Sequence, residues 1–241
     1  MQLPKTILFD MDGTLIAAYQ RPDLAWQSVL SEFASRIQNT DTDALADAIN
    51  ESGRTLWRKI EATPGEHKNL RYDIEATRHL IVQTGLQEAG VNDPTLAGDI
   101  ATRFNAYRRE QLTAFPGALE TVDRLRDRGV RLALVTNGGI KDQSAKIERF
   151  GLAQQFDHVV ISEQFGADKP DPTIYQHVLE VFDCAPSEAW MVGDNLHFDV
   201  GAPQRLGIHG IWHDPAGDGL PHDTDVQPDR VINAIPELLP D

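Results

Sequence analysis

The chain has 241 residues, 41% of them hydrophobic, with 37 Asp or Glu against 22 Lys or Arg for a formal net charge of −15. That balance speaks against a disordered chain and against nucleic-acid polymers or anionic membranes as partners, because both are bound by basic surfaces. Cys184 is the lone cysteine, so no internal disulfide forms; no apolar run reaches the length of a membrane span, and Met1-Gln2-Leu3-Pro4-Lys5 lacks a signal-peptide core, which predicts a cytoplasmic protein.

The first predicted element is the short apolar strand Thr6-Ile7-Leu8-Phe9, which runs into Asp10-Met11-Asp12-Gly13-Thr14. Two carboxylates two residues apart, a glycine that admits close backbone approach and a hydroxyl suit a divalent cation and a phosphate; a strand closing on an Asx-type turn has the same composition. From about Leu24 to Leu112 the apolar residues keep helical spacing, in the sets Trp26, Val29, Leu30, Phe33, Ile37; Leu45, Ile49, Leu56, Ile60; Leu70, Ile74, Thr77, Ile81; and Leu96, Ile100, Phe104, Tyr107. They predict a bundle of about four helices, with turns at Asn39-Thr40-Asp41-Thr42, Thr63-Pro64-Gly65 and Gly90-Val91-Asn92-Asp93-Pro94.

After Phe115-Pro116-Gly117 the pattern changes to short, nearly continuous apolar runs alternating with helical segments, as on a buried parallel sheet. Strands are expected over 131–136, 157–161, 189–192 and 210–212, with a last short one near 230–232 after a Gly- and Pro-rich loop over 214–228. Helices are expected over 118–128, ending at Gly129; over 141–150, ending at Gly151; and over 173–182, opened by Pro172. The helical bundle therefore separates the first strand from the rest of its sheet. The chain reads as an α/β protein in which 1–16 and 115–241 form a doubly wound, mostly parallel, Rossmann-like core and 17–114 an inserted α-helical bundle cap.

In such a sheet, ligands bind outside the carboxyl ends of the strands near the switch in strand order. Asp10 and Asp12 close the first strand, Thr136-Asn137-Gly138-Gly139 the second, and Gly193-Asp194-Asn195 the fourth; Lys169 follows the third. Turn chemistry accounts for any one of these but poorly for all four. Carboxylates gathered in one crevice repel by roughly 4 kcal/mol per pair at about 4 Å and an effective dielectric of about 20. Something positive must offset this, and hard oxygen donors with room for phosphate and water favour Mg²⁺. Lys169 is the natural second cation. Thr136 offers a hydroxyl and the following residues offer backbone N–H groups ahead of a helix. Asp199 either points into the site or caps the helix that follows Asp194.

Together, Asp10-x-Asp12-Gly13-Thr14, Thr136-Asn137-Gly138, Lys169-Pro170, and Gly193-Asp194-Asn195 with Asp199 behind it resemble, in order, the four motifs of the haloacid dehalogenase-like phosphohydrolases. The resemblance covers the whole core, and the insertion looks like the helical cap of the subgroup that dephosphorylates small metabolites, pyrimidine nucleotides and flavin precursors. It implies that Asp10 attacks phosphorus to give an aspartyl phosphate and that Asp12 protonates the leaving oxygen and then activates water. Asp10, Asp194 and the Asp12 backbone carbonyl would hold Mg²⁺, and Thr136, Asn137, Gly138 and Lys169 would hold the phosphoryl group. Many relatives have a second acid directly after the metal-binding Asp. Here Asn195 stands there, so the resemblance places Asn195 and Asp199 in the outer metal shell, with Asp199 as the additional acid.

The expected activity is hydrolysis of a small phosphorylated metabolite (a nucleotide, flavin precursor or sugar phosphate) by a monomer or homodimer. A phosphomutase would keep all four motifs. A dehalogenase would not need Asp12, since halide leaves without a proton, and a phosphoryl-accepting regulatory protein would need neither Asp12 nor the insertion. Arg71, Tyr72, Arg108 and Arg109 in the insertion could meet a substrate, although arginines on a helical bundle more often form a solvated face. His67 and His79 read as surface residues, Trp26 and Trp57 as core.

Overall fold

The computed structural model describes residues 3–17, 22–37, 40–63, 66–91 and 93–240; of the expected turn residues, Asn39, Pro64, Gly65 and Asn92 lie outside these. The chain divides into two compact units, Met1–Ala17 with Thr113–Asp241, and Ala18–Leu112.

In the first unit the apolar runs form strands β1 (Thr6–Phe9), β2 (Arg131–Thr136), β3 (His158–Ile161), β4 (Ala189–Gly193), β5 (His209–His213) and β6 (Arg230–Ile232). They make one parallel sheet in the order β3-β2-β1-β4-β5-β6. The chain runs outward from β1 through β2 to β3, then returns beside β1 to begin β4. The switch therefore falls between β1 and β4. Phe9 pairs with Leu134 on one side and Val192 on the other, so Asp10, Thr136 and Asp194 leave the sheet at the same end. All four residues of β1 are buried, as expected for a strand covered on both faces.

Helices α6 (Ala118–Asp127), α7 (Ile140–Arg149), α8 (Ser162–Phe165), α9 (Pro172–Val181) and α10 (Ala202–Gln204) belong to this unit, following five in the insertion. From α9, Ile174, Tyr175 and Val178 pack into a core with Leu8, Ala133, Val135 and Met191. Asp171 caps α9 by accepting the Thr173 N–H, and Pro172 starts it. The three long helices each stop one residue before the expected end. Arg128, Phe150 and Phe182 have ψ of 6°, 4° and 0°, and serve as C-caps. Where the chain leaves and rejoins this unit, the two segments run side by side: Ala17 N–H donates to Thr113 and Phe115 N–H to Leu15, both at 2.9 Å.

The insertion consists of α1 (Pro22–Glu32), α2 (Thr42–Ala62), α3 (Lys68–Tyr72), α4 (Ile74–Glu88) and α5 (Pro94–Gln111). The set Leu70, Ile74, Thr77, Ile81, read as one helix, is divided between α3 and α4. The break is at Asp73, whose side chain accepts the Ala76 N–H and so begins a new helix. Asp41 and Asp93 cap α2 and α5 in the same way. Trp26 stacks on Phe104 with ring centroids 3.4 Å apart, within a core that also holds Val29, Leu30, Leu45, Ile49, Val82 and Ile100.

Candidate active site

Asp10 directly follows β1, its N–H bonded to Val192 O at 2.9 Å. Its buried carboxylate accepts Lys169 Nζ at Oδ1 (2.6 Å) and the Thr14 hydroxyl at Oδ2 (3.3 Å). Lys169 Nζ also donates to Asp199 Oδ1 at 2.7 Å, and the lysine is 2% exposed. The backbone of Lys169 is clamped by Asn137, which donates from Nδ2 to Lys169 O and accepts the Lys169 N–H at Oδ1, both at 2.8 Å. The second strand end thus fixes the lysine that follows the third.

Asp194 supplies the third carboxylate. One oxygen each from Asp10, Asp194 and Asp199 lies within 4.8 Å of the others. Two glycines make room for them. A Cβ on Gly13, whose φ is +89°, would stand 2.4 Å from Asp194 Oδ2, and one on Gly193 would stand 2.2 Å from Asp199 Cγ. The Gly13 carbonyl is held by His213, whose buried ring donates from Nδ1 at 3.0 Å. The Trp212 indole N–H holds Asp194 O at 2.8 Å.

Electrostatics follow from three carboxylates around one lysine. Burial pushes the Asp10 carboxyl well above its ordinary pKa, with Lys169 opposing and Asp199 and Asp194 adding to the rise. Asp194 is pushed up to about 6, first by the protein atoms crowding its carboxyl and then by the charge of Asp199. Its surface nevertheless remains exposed, open to water or a ligand. Burial alone would discharge Lys169, but Asp10 and Asp199 outweigh it and keep the ammonium charged. The group therefore carries an excess of negative charge.

Asp12 turns elsewhere. Its Oδ2 accepts Lys146 Nζ at 2.8 Å and Gln143 Nε2 at 3.0 Å, while Oδ1 is buried and takes no hydrogen bond from the described residues. Gln143 Nε2 also reaches Thr136 Oγ1 at 2.5 Å, and Lys146 binds Asp142 Oδ2 at 2.8 Å. Sequence reading missed Gln143 and Lys146. The signal was present: on α7 they share the inward face with Ile147 at i, i+3, i+4 spacing. A polar pair on that face belongs to a site or to nothing.

Three groups of expected residues meet particular partners. Of the Asn137-Gly138-Gly139 amides expected to meet an anion, Gly138 N–H donates to Ser162 Oγ at 3.0 Å, and two residues on Ile140 N–H donates to Glu163 Oε2 at 2.6 Å. Both acceptors come from α8, which no sequence pattern announced, and the Asn137 side chain is committed to Lys169. Asn195, expected around the metal, uses its side chain as a cap: Oδ1 accepts the His197 and Phe198 N–H groups at 3.0 and 2.9 Å. They open a π-helical turn over Leu196–Gly201, and this resolves the alternatives for Asp199. Asn195 caps the turn, and Asp199 points inward with Oδ2 on the Asn195 N–H. In the helical unit, Arg108 is buried instead of forming a solvated face, whereas Arg109 is exposed and pairs with Glu75 at 3.9 Å.

A description of known sequences as haloacid dehalogenase-like hydrolases matches residues 4–207. Among curated proteins, the phosphoserine phosphatase of Thermus thermophilus is 32% identical, over 98% of this chain and 98% of its own. The ribulose-1,5-bisphosphate 5-phosphatase of Halopiger xanaduensis is 30% identical, over 96% of each chain. Among solved structures, the HAD-hydrolase YfnB from Bacillus subtilis, bound to magnesium, has a TM-score of 0.72 at 22% identity, covering 98% of this chain and 97% of its own.

Proposed function

We propose that the chain, which belongs to the haloacid dehalogenase-like hydrolases and is a phosphoric monoester hydrolase, acts on a small phosphorylated metabolite through an aspartyl phosphate on Asp10, with Mg²⁺ as cofactor. The observation that carries this reading is the buried Lys169 between Asp10 and Asp199, with Asp194 beside them. Three carboxylates against one ammonium leave negative charge that a divalent cation offsets, and the donors are the hard oxygens such a cation prefers. Asp10 and Asp194 would hold Mg²⁺, and Asp12 through its backbone carbonyl; Asp199 would hold Lys169 in place from behind. Bound there, the ion supplies charge neutralisation for the nucleophile and the phosphoryl oxygens.

The remaining roles fall to the chain itself. Asp10 is the nucleophile. Lys169 has three N–H donors, two of them used by Asp10 and Asp199, and presents the third to a phosphoryl oxygen. Thr136 accepts from Gln143 and so directs its own hydroxyl hydrogen outward, toward a phosphoryl oxygen. Asp12 protonates the leaving oxygen and then accepts a proton from the hydrolytic water. Positioning and charge compensation supply most of the acceleration, as is usual for phosphoryl transfer. The division into an α/β domain carrying this chemistry and an inserted helical domain belongs to the same proposal.

The test is a screen for phosphate release over amino-acid, sugar, nucleotide and flavin phosphates, with and without a chelator, using Asp10→Asn as control. Release that needs Mg²⁺ and Asp10 is the expected result. Undiminished release from the Asn variant would defeat the nucleophile assignment, and activity surviving complete chelation would defeat the metal. Interconversion of sugar phosphates in place of release would make the protein a mutase.

A further inference from the structure

Lys146 has only donors, so the Gln143 atom it meets at 2.8 Å is the amide oxygen. That contact fixes the amide orientation and leaves the two Nε2 hydrogens to be shared among Asp12 Oδ2, Thr136 Oγ1 and Asn137 O. Asp12 Oδ2 consequently faces two N–H donors, from Gln143 and from Lys146. A proton placed on Oδ2 would point at a donor. Oδ1, buried and accepting nothing from the described residues, has no such conflict.

We propose that Lys146, acting with Gln143, is a positioning residue that locks the Asp12 carboxyl through Oδ2 and so assigns proton transfer to Oδ1. This inference rests on the phosphatase reading above. In the first half-reaction an Asp10 oxygen bonds to phosphorus as the bond from phosphorus to the leaving oxygen breaks. The electron pair stays on the leaving oxygen, which takes the proton from Asp12 Oδ1. In the second, water oxygen bonds to phosphorus and gives a proton to Oδ1, while the Asp10–phosphorus bond breaks with its electron pair returning to Asp10. Asp12 ends protonated, as it began. Through Gln143 the same lysine also sets the Thr136 hydroxyl as a donor, so one buried side chain orients both the acid and a phosphate ligand.

Proton donation matters most when the leaving oxygen is a poor leaving group, and this separates the proposal from a merely structural role. Wild type, Lys146→Met and Asp10→Asn are compared on a simple alkyl phosphate and on p-nitrophenyl phosphate. Lys146→Met is expected to lose about 100-fold in kcat on the alkyl ester, within the usual range for general acid catalysis, and less than about tenfold on the aryl ester. Should that variant not fold, Gln143→Met, which removes one of the two donors on Oδ2, is read on the same pair and is expected to show the same selective loss. Equal losses on the two esters, or none on either, would overturn the role of Lys146 and leave the phosphatase reading intact. Release that persists in Asp10→Asn, or is absent from wild type on both esters, would overturn the reading and the inference with it.

Discussion

In the helical unit several ion pairs lie outside: Arg36 reaches Asp93 and Asp99, Arg103 reaches Glu32, and Arg54 reaches Glu51, all with exposed or half-exposed side chains. In the α/β unit two lysines are buried, and each holds two carboxylates, Lys169 with Asp10 and Asp199, Lys146 with Asp12 and Asp142. Surface pairs contribute about 0–1 kcal/mol each, because water already solvates both partners. Buried ones are costly to assemble and costly to break, since removing one partner strands the other. The α/β unit thus keeps charge buried at its strand ends, while the helical unit places these pairs at its surface.

The contrast can be tested from its strong end downward. Asp10→Asn should lower phosphate release by at least about 1000-fold while leaving thermal stability unchanged or raised, because one of three crowded carboxylates loses its charge. A fall in melting temperature parallel to the loss of activity would show that Asp10 is structural. Lys169→Met should lose both properties, with unfolding in denaturant easier by about 3–5 kcal/mol as Asp10 and Asp199 are left buried without their cation. A variant as stable as wild type would mean that the carboxylates take up protons at little cost.

The helical unit should answer through packing. Trp26→Ala, which removes the ring stacked on Phe104, is expected to cost about 3–5 kcal/mol in the same measurement. A loss below about 1 kcal/mol would mean that this core closes over the gap. The smallest effect concerns acid. Asp93 is held down to about 2 by the Thr95 hydroxyl first, then by the Leu96 N–H and Arg36. A depressed folded-state pKa gives stability that is complete above the ordinary carboxylate value of about 3.9 and fades as pH falls from there toward about 2. Helicity followed by circular dichroism should therefore show Asp93→Ala less stable than wild type at pH 6 and the difference shrinking between about pH 4 and 2. A difference that stays constant across that window would remove Asp93 as its source.

Much of this was legible in the residues. The strands β1, β2 and β6 are where the apolar runs put them; for β1 and β2, runs of four and six residues have few ways other than a covered sheet to be buried on both faces. Asp10 and Asp194 could be picked out because each sits at a strand end, and Lys169 because it lies in the connection after the third strand; the parallel register then brings the strand ends together. Less legible was what each polar atom does once there. Asn137 was legible as a backbone donor, yet its side chain clamps Lys169, and the Asn195 side chain caps a turn. Both side chains offer a donor and an acceptor that suit either task, and only the neighbour's position chooses.

The sequence by itself determined the class of the fold, the placing of Asp10 and Asp194 at strand ends and the grouping of Asp10, Asp12, Gly13 and Thr14 in one motif, because period, punctuation and charge are properties of local sequence. Tertiary structure decided the partners. Asp12 meets Lys146 across 134 positions and Asp10 meets Lys169 across 159. No local pattern encodes such pairs; they exist because β1 lies at the switch point of the sheet, between the strands whose connections carry the lysines.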